Sequence, residues 1–317
     1  MKYNQSLSPG QIPTEFLAKD DQLISFDQLH QEFAATTHGE NLKENIRFAH
    51  FKAPQLSDQE WVKLLGYDVN NLHHMPLTYG LTRRFLQHHQ LNAPAENLLT
   101  ESEILTLCLT AKTHDRAEAV TGDVNYSLKT DALEKREAGI LRQMLLEMTE
   151  KYLTAEQIEE IVQTAFNKKS KLGEIFSLIE KIGYLRTALN VWDQSGRSEL
   201  TKFKLHQPEQ KLSNSYPPLS EGTNELDWLV FDVICNQLRT LIAAASNSSS
   251  VKAYLESQKA YISEIFDKMP PSVLKFYPPE KQTTKGKEFE YSSKAWQGFL
   301  LPALLEEIQE VEASAAQ

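Results

Sequence analysis

The sequence predicts an all-α protein, and three observations lead there. Apolar residues recur three and four positions apart in four separate stretches: Leu77, Leu81, Phe85 and Leu86; Ile104, Leu107, Cys108 and Ala111; Ile140, Leu141, Met144, Leu145 and Met148; Ile175, Leu178, Ile179, Ile182, Leu185 and Leu189. That spacing traces one face of a helix. Two of these stretches carry start signals, Pro76, which suits a first helical turn, and Thr100 with Glu103, which makes a capping box. Finally, 317 residues with 41% hydrophobic content are enough to bury one large core.

In chain order, residues 1–65 are polar and broken, with a short amphipathic stretch around Phe26–Phe33 and an apolar group at Trp61, Val62, Leu64 and Leu65. Arg47 and Lys52 read there as solvated surface charges, with a phosphate contact from outside the core as the alternative. Pro76 then opens a helix with His74 at its entrance and His88 and His89 exposed at its far end. A central helix spans 101–117, and Gly122 ends or bends it. Helices follow at 131–150, with Leu133 on its apolar face, then at 155–167 and at Leu172–Trp192. The segment from His206 to Pro218 reads as a linker or surface loop. Further helices are expected at Glu225–Ala245, Val251–Lys268 and Ala295–Val311, parted by the Pro-rich and Lys-rich stretch around Pro270–Lys287. The expected division is an N-terminal helical extension (1–65), a core (66–205) and a C-terminal helical extension (206–317) that caps a cleft, forms a homodimer surface or enlarges the core.

Chemistry concentrates where the apolar face of the central helix turns polar. Continuing the 104, 107, 108, 111 spacing brings His114 and Asp115, then Glu118, onto the same face. Ionised groups on a buried face need partners, a cleft or a metal. An imidazole beside a carboxylate pairs a borderline nitrogen with a hard oxygen, a combination suited to a divalent ion. A formal charge of −10 argues against duplex nucleic acid as the main partner, but leaves room for a small phosphorylated ligand. No run of about 18 apolar residues is present, so no membrane span is expected. Cys108 and Cys235 both lie in apolar helical patterns and read as reduced core residues, in keeping with a cytoplasmic setting.

The run His114-Asp115, Glu118, Thr121-Gly122-Asp123 and Lys129 resembles the HD-domain metal-dependent phosphohydrolases, nearest to their 5'-deoxynucleotidase branch. The resemblance implies an HD-domain-like helical bundle holding one divalent metal ion. It implies His74 as a first ligand (His73 in reserve), His114 and Asp115 as the central pair, and a final ligand on the late helix. There Glu180-Lys181-Ile182-Gly183-Tyr184-Leu185 is similar to the family's segment, with Glu where the family has Asp. The extra methylene moves the oxygens by about 1.5 Å, and Asp193 is the fallback. By the same resemblance Glu118 and Asp123 are catalytic carboxylates, one acting on water and one on the leaving alkoxide. Lys129 and Arg116 are candidate phosphate contacts. No histidine lies between Asp115 and His206, which favours one metal over two, and the alarmone-hydrolase branch's downstream Glu-Asp pair is not found.

The implied function is hydrolysis of a small phosphomonoester, such as a (deoxy)nucleoside 5'-monophosphate, by metal-activated water. The alternative is a non-catalytic scaffold of the same fold that binds a metal or nucleotide for regulation. A third reading is a plain helical interaction protein. Composition and spacing name neither the substrate nor the metal.

Overall fold

A computed structural model describes residues 12–49, 57–93, 95–124 and 129–194. Among them the chain is predominantly helical, as its periodicity predicts. The Cys235 and C-terminal helix expectations, the 206–218 linker and Lys52 lie outside the described residues.

The described chain opens with a small hairpin that the periodicity did not foresee, β1 (Glu15–Leu17) paired antiparallel with β2 (Leu23–Ser25). Its turn takes Asp21 through a left-handed φ of 57°. Phe16 and Ile24 face the core from opposing positions, so the hairpin acts as a lid on helices and not as a free sheet. Helices α1 (Phe26–Ala34), α2 (Thr37–Glu44), α4 (Asn71–Asn92), α5 (Glu101–Thr113), α6 (Glu118–Thr121), α7 (Asp131–Thr149), α8 (Ala155–Phe166) and α9 (Lys171–Gln194) follow, with α3 at Asp58–Leu65. Their starts are set by local chemistry. Ser25, Thr36, Ser57, Asn70, Thr100, Thr130 and Thr154 each accept a backbone N–H of the first turn through a side-chain oxygen, which relieves the unpaired donors of a helix start. The Thr100–Glu103 box forms as expected.

By backbone proximity the chain divides into two compact units, 1–48 with 67–183, and 49–66 with 184–317. Of the second unit the described parts are α3, opened by a Ser57–Glu60 capping box, and the end of α9. The first unit carries the core. At its centre α5 is buried all round, every residue from Ile104 to Thr113 being shielded, with α4, α8 and α1 packed about it. Burial on every side brings polar side chains inside as well. Thr110 and Thr113 satisfy their hydroxyls on the carbonyls of Thr106 and Leu109, at 2.8 Å each, as buried helical threonines commonly do.

Two helix expectations need correction. Pro76 does not open α4. Asn70 caps it, and Pro76 sits in the second turn, so the expected boundary is five residues late because the capping asparagine is the stronger signal. His89 is not exposed but buried, its Nε2 3.0 Å from the Asn97 carbonyl, because the chain folds back over the end of α4 in a 3-10 turn, Ala95–Asn97.

Candidate metal centre

The central helix does not run to 117. After Thr113 it tightens into a 3-10 turn, His114–Ala117, and resumes as the single turn α6. Successive residues of a 3-10 turn point about 120° apart, so His114, Asp115 and Arg116 leave the axis in three directions. His114 and Asp115 face the same small volume as side chains from α4 and α9. Arg116 faces the opposite way. Gly122, at φ +77°, then stops α6, a conformation that favours glycine.

Three side chains from three segments converge: His74 on α4, His114 on the 3-10 turn and Glu180 on α9. One ligand atom of each lies within 4.8 Å of the others. His114 Nε2 is 3.2 Å from Glu180 Oε1 and 3.2 Å from Asp115 Oδ1. The second Asp115 oxygen is 4.0 Å from His74 Nε2. Ligands held about 2.1 Å from a common ion at tetrahedral angles stand roughly 3.4 Å apart, so these separations are of the size a shared cation requires.

The two imidazoles are turned the right way for it. His74 Nδ1 lies 2.9 Å from Asp68 Oδ1, and His114 Nδ1 lies 3.3 Å from the Ala111 carbonyl. Both partners only accept, so both Nδ1 atoms donate to them and both Nε2 atoms face the cluster. The Thr78 hydroxyl, one turn along α4, reaches His74 Nε2 at 3.1 Å. His114 Nε2 is buried and is aligned with no hydrogen-bond partner, although two carboxylates lie at ion-pair distance. Electrostatics express the same demand for positive charge. Burial alone would push the His114 imidazole down, yet Asp115, Glu180 and Glu118 hold it up at about 9. Burial would push the Glu180 carboxyl up, yet the His114 imidazole, with His74 and Arg47 behind it, holds it at about 2. Two imidazole nitrogens beside two carboxylates make a mixed nitrogen–oxygen set that fits a divalent ion, which would take the place of the His114 Nε2 proton.

The other expected site residues fall as follows. Glu118 is buried behind the cluster, one oxygen taking the Asn71 amide and the other the Lys129 ammonium at 3.0 Å. Burial and the neighbouring Asp115 push its carboxyl well up. Asp123 accepts the Phe48 backbone N–H at 3.3 Å. Lys129, expected as a phosphate contact, is paired with carboxylates. It is shared between Glu118 and the buried Glu137, 2.9 Å away, and Thr121 donates to the other Glu137 oxygen. Arg116 is a clearer correction. It is 1% exposed, donates to the Leu29 carbonyl at 3.2 Å and lies over the Phe33 ring, because the 3-10 turn directs it into the core. His73, the reserve ligand, stacks on Tyr67 outside the cluster. Asp193, the fallback, has a side chain outside the described residues.

Two residues beside the cluster have roles that the sequence reading did not give them. Arg47, read as a surface charge, is 5% exposed. Its Nε is 3.2 Å from Asp68 Oδ1 and one terminal nitrogen is 3.6 Å from Asp115 Oδ2. Asp68 itself was passed over. Neither carries a local signal, since their meaning comes from a bridge between Ile46 and Asn70 that clasps two loops. The next residue, Phe48, is held at φ +54°, a costly conformation for a bulky side chain that gathers at functional sites.

No family model, curated protein or solved structure matches the chain. Among the described residues, no helix is long and apolar enough to cross a membrane.

Proposed function

We propose that this chain is an HD-domain-like, metal-dependent phosphohydrolase acting on a small phosphomonoester, of which a (deoxy)nucleoside 5'-monophosphate is the leading candidate. The supporting observation is the convergence of His74, His114 and Glu180, drawn from segments far apart in sequence, with Asp115 alongside. His74, His114, Asp115 and Glu180 hold the ion, the Glu in place of the family's Asp reaching His114 without strain on the spacing. When bound, a divalent ion supplies a Lewis acid for the phosphoryl group and lowers the pKa of a water. Glu118, whose carboxyl burial and Asp115 push well up, takes the proton of the attacking water, and Asp123 delivers one to the leaving alkoxide. Asn71 and Lys129 hold the two Glu118 oxygens so that the carboxylate cannot swing away. The buried free thiol of Cys108, pushed up to about 12 by burial, supports a reducing, cytoplasmic setting.

A specific observation favours a second reading, a metal-binding scaffold without turnover. Among the described residues, two cations beside the cluster, Arg47 and Lys129, are both engaged by carboxylates, so a phosphate arriving there competes with acidic side chains. Metal analysis of the purified protein combined with phosphate release from a panel of nucleotides and sugar phosphates separates the readings. Bound metal with turnover that His114→Ala abolishes supports the hydrolase. Bound metal with no release favours the scaffold, and no metal at all rejects both.

A further inference from the structure

We propose that Asp68 is a positioning residue that fixes His74 in the one tautomer able to bind metal, with Arg47 as the brace that keeps Asp68 in place. The proposal rests on the metal-centre reading and adds to it a pair that lies outside the ligand set.

Asp68 is 4% exposed, and a buried carboxylate is costly unless paired. A single oxygen, Oδ1, accepts from His74 Nδ1 at 2.9 Å and stands at ion-pair distance, 3.2 Å, from Arg47 Nε. The first contact pins an imidazole proton on Nδ1 and turns Nε2 toward Asp115 and the Thr78 hydroxyl. The second offsets the carboxylate's charge and holds it against the ring. Backbone pairing makes the arrangement stiff. Arg47 N–H donates to the Val69 carbonyl at 3.0 Å, Ile46 and Asn70 form an antiparallel bridge, and the Asn70 amide donates to the Lys43 carbonyl. Arg47 and Asp68 are thereby presented from two clasped loops. The same guanidinium reaches Asp115 Oδ2 at 3.6 Å, so one cation spaces the carboxylate that orients one ligand from the carboxylate that neighbours another. Partners of this kind, standing behind a ligating histidine, commonly change metal affinity 10- to 100-fold when removed.

The test uses the full-length chain, with Asp68→Ala and Asp68→Asn beside the wild type. Cobalt(II) affinity is measured by competition with a chromophoric chelator, and the His74 tautomer in metal-free protein by long-range nitrogen–proton NMR. The expected result is a 10- to 100-fold loss of cobalt affinity in Asp68→Ala and a smaller loss in Asp68→Asn, which keeps the acceptor oxygen. In Asp68→Ala the His74 proton should also redistribute toward Nε2, a change that loosened packing alone would not direct. If Asp68→Ala does not fold, Asp68→Asn decides, with a 3- to 10-fold loss expected. Wild-type affinity and an unchanged tautomer in a folded variant overturn the proposal while leaving the metal centre intact. A wild-type protein that takes up no cobalt overturns the metal-centre reading and this proposal together.

Discussion

Glu180 shows how narrow the tolerances are at the residue scale. Its Oε1 stands 3.2 Å from His114 Nε2, and shortening the side chain by one methylene withdraws the oxygens by about 1.5 Å. Glu180→Asp is therefore expected to bind metal at least 10-fold more weakly by calorimetric titration. Equal or tighter binding would show that α9 adjusts to recover the contact. A second expectation concerns His30, on α1. Burial, then the nearby Lys112 and Arg116 charges, push its imidazole down to about 4, with Asp27 opposing. The unfolded chain takes up that proton near the usual 6.5. The unfolded state thus binds more protons between about pH 6.5 and 4, and the His30 contribution to stability, full above 6.5, is lost as pH falls through that window. The loss is on the order of 2–3 kcal/mol. Urea unfolding at pH 7 and pH 4.5 should show a smaller acid loss in His30→Gln than in the wild type.

Single elements carry measurable weight of their own. The Thr100–Glu103 box opens the most deeply buried helix, and Thr100→Ala should cost roughly 1 kcal/mol. Leu107, fully buried on α5, should cost about 2–5 kcal/mol when cut to Ala, both read by chemical denaturation. The α1–α2 corner depends on Gly39. A Cβ there would meet the Phe33 carbonyl at 2.5 Å and Ala34 Cα at 2.6 Å, backbone atoms that cannot turn aside. Gly39→Ala is expected to destabilise by more than an ordinary surface substitution and to disturb the Asn45–Glu118 and Asn41–Ala119 bonds that tie α2 to α6. Helix existence and type were legible in the sequence, because periodicity reports burial directly. Where α4 began and where α5 gave way to a 3-10 turn was less so. The first turned on the Asn70 side chain outcompeting a proline signal. The second turned on two buried threonines and a packed end, where the expected face of regular helical spacing no longer applied, and it carried Arg116 into the core.

For the whole molecule the decisive measurement is thermodynamic. A ligand that binds only the folded state stabilises it by about 2.7 kcal/mol at one hundred times its dissociation constant. Melting after chelation should thus fall, and recover on adding a divalent metal, with both shifts absent in His114→Ala. A melt indifferent to chelator and metal would favour the plain helical protein. The all-α class, the capping box and the chemical promise of His114 and Asp115 followed from sequence alone, because propensity, periodicity and capping act between residues a few positions apart. Only the tertiary structure decided that Glu180 and His74 face that pair, that Lys129 answers to Glu118 and Glu137, and that Arg47 and Asp68 are buried partners. Those assignments depend on which distant segments share a low-dielectric interior, where every charge must find its complement, and no local pattern encodes that.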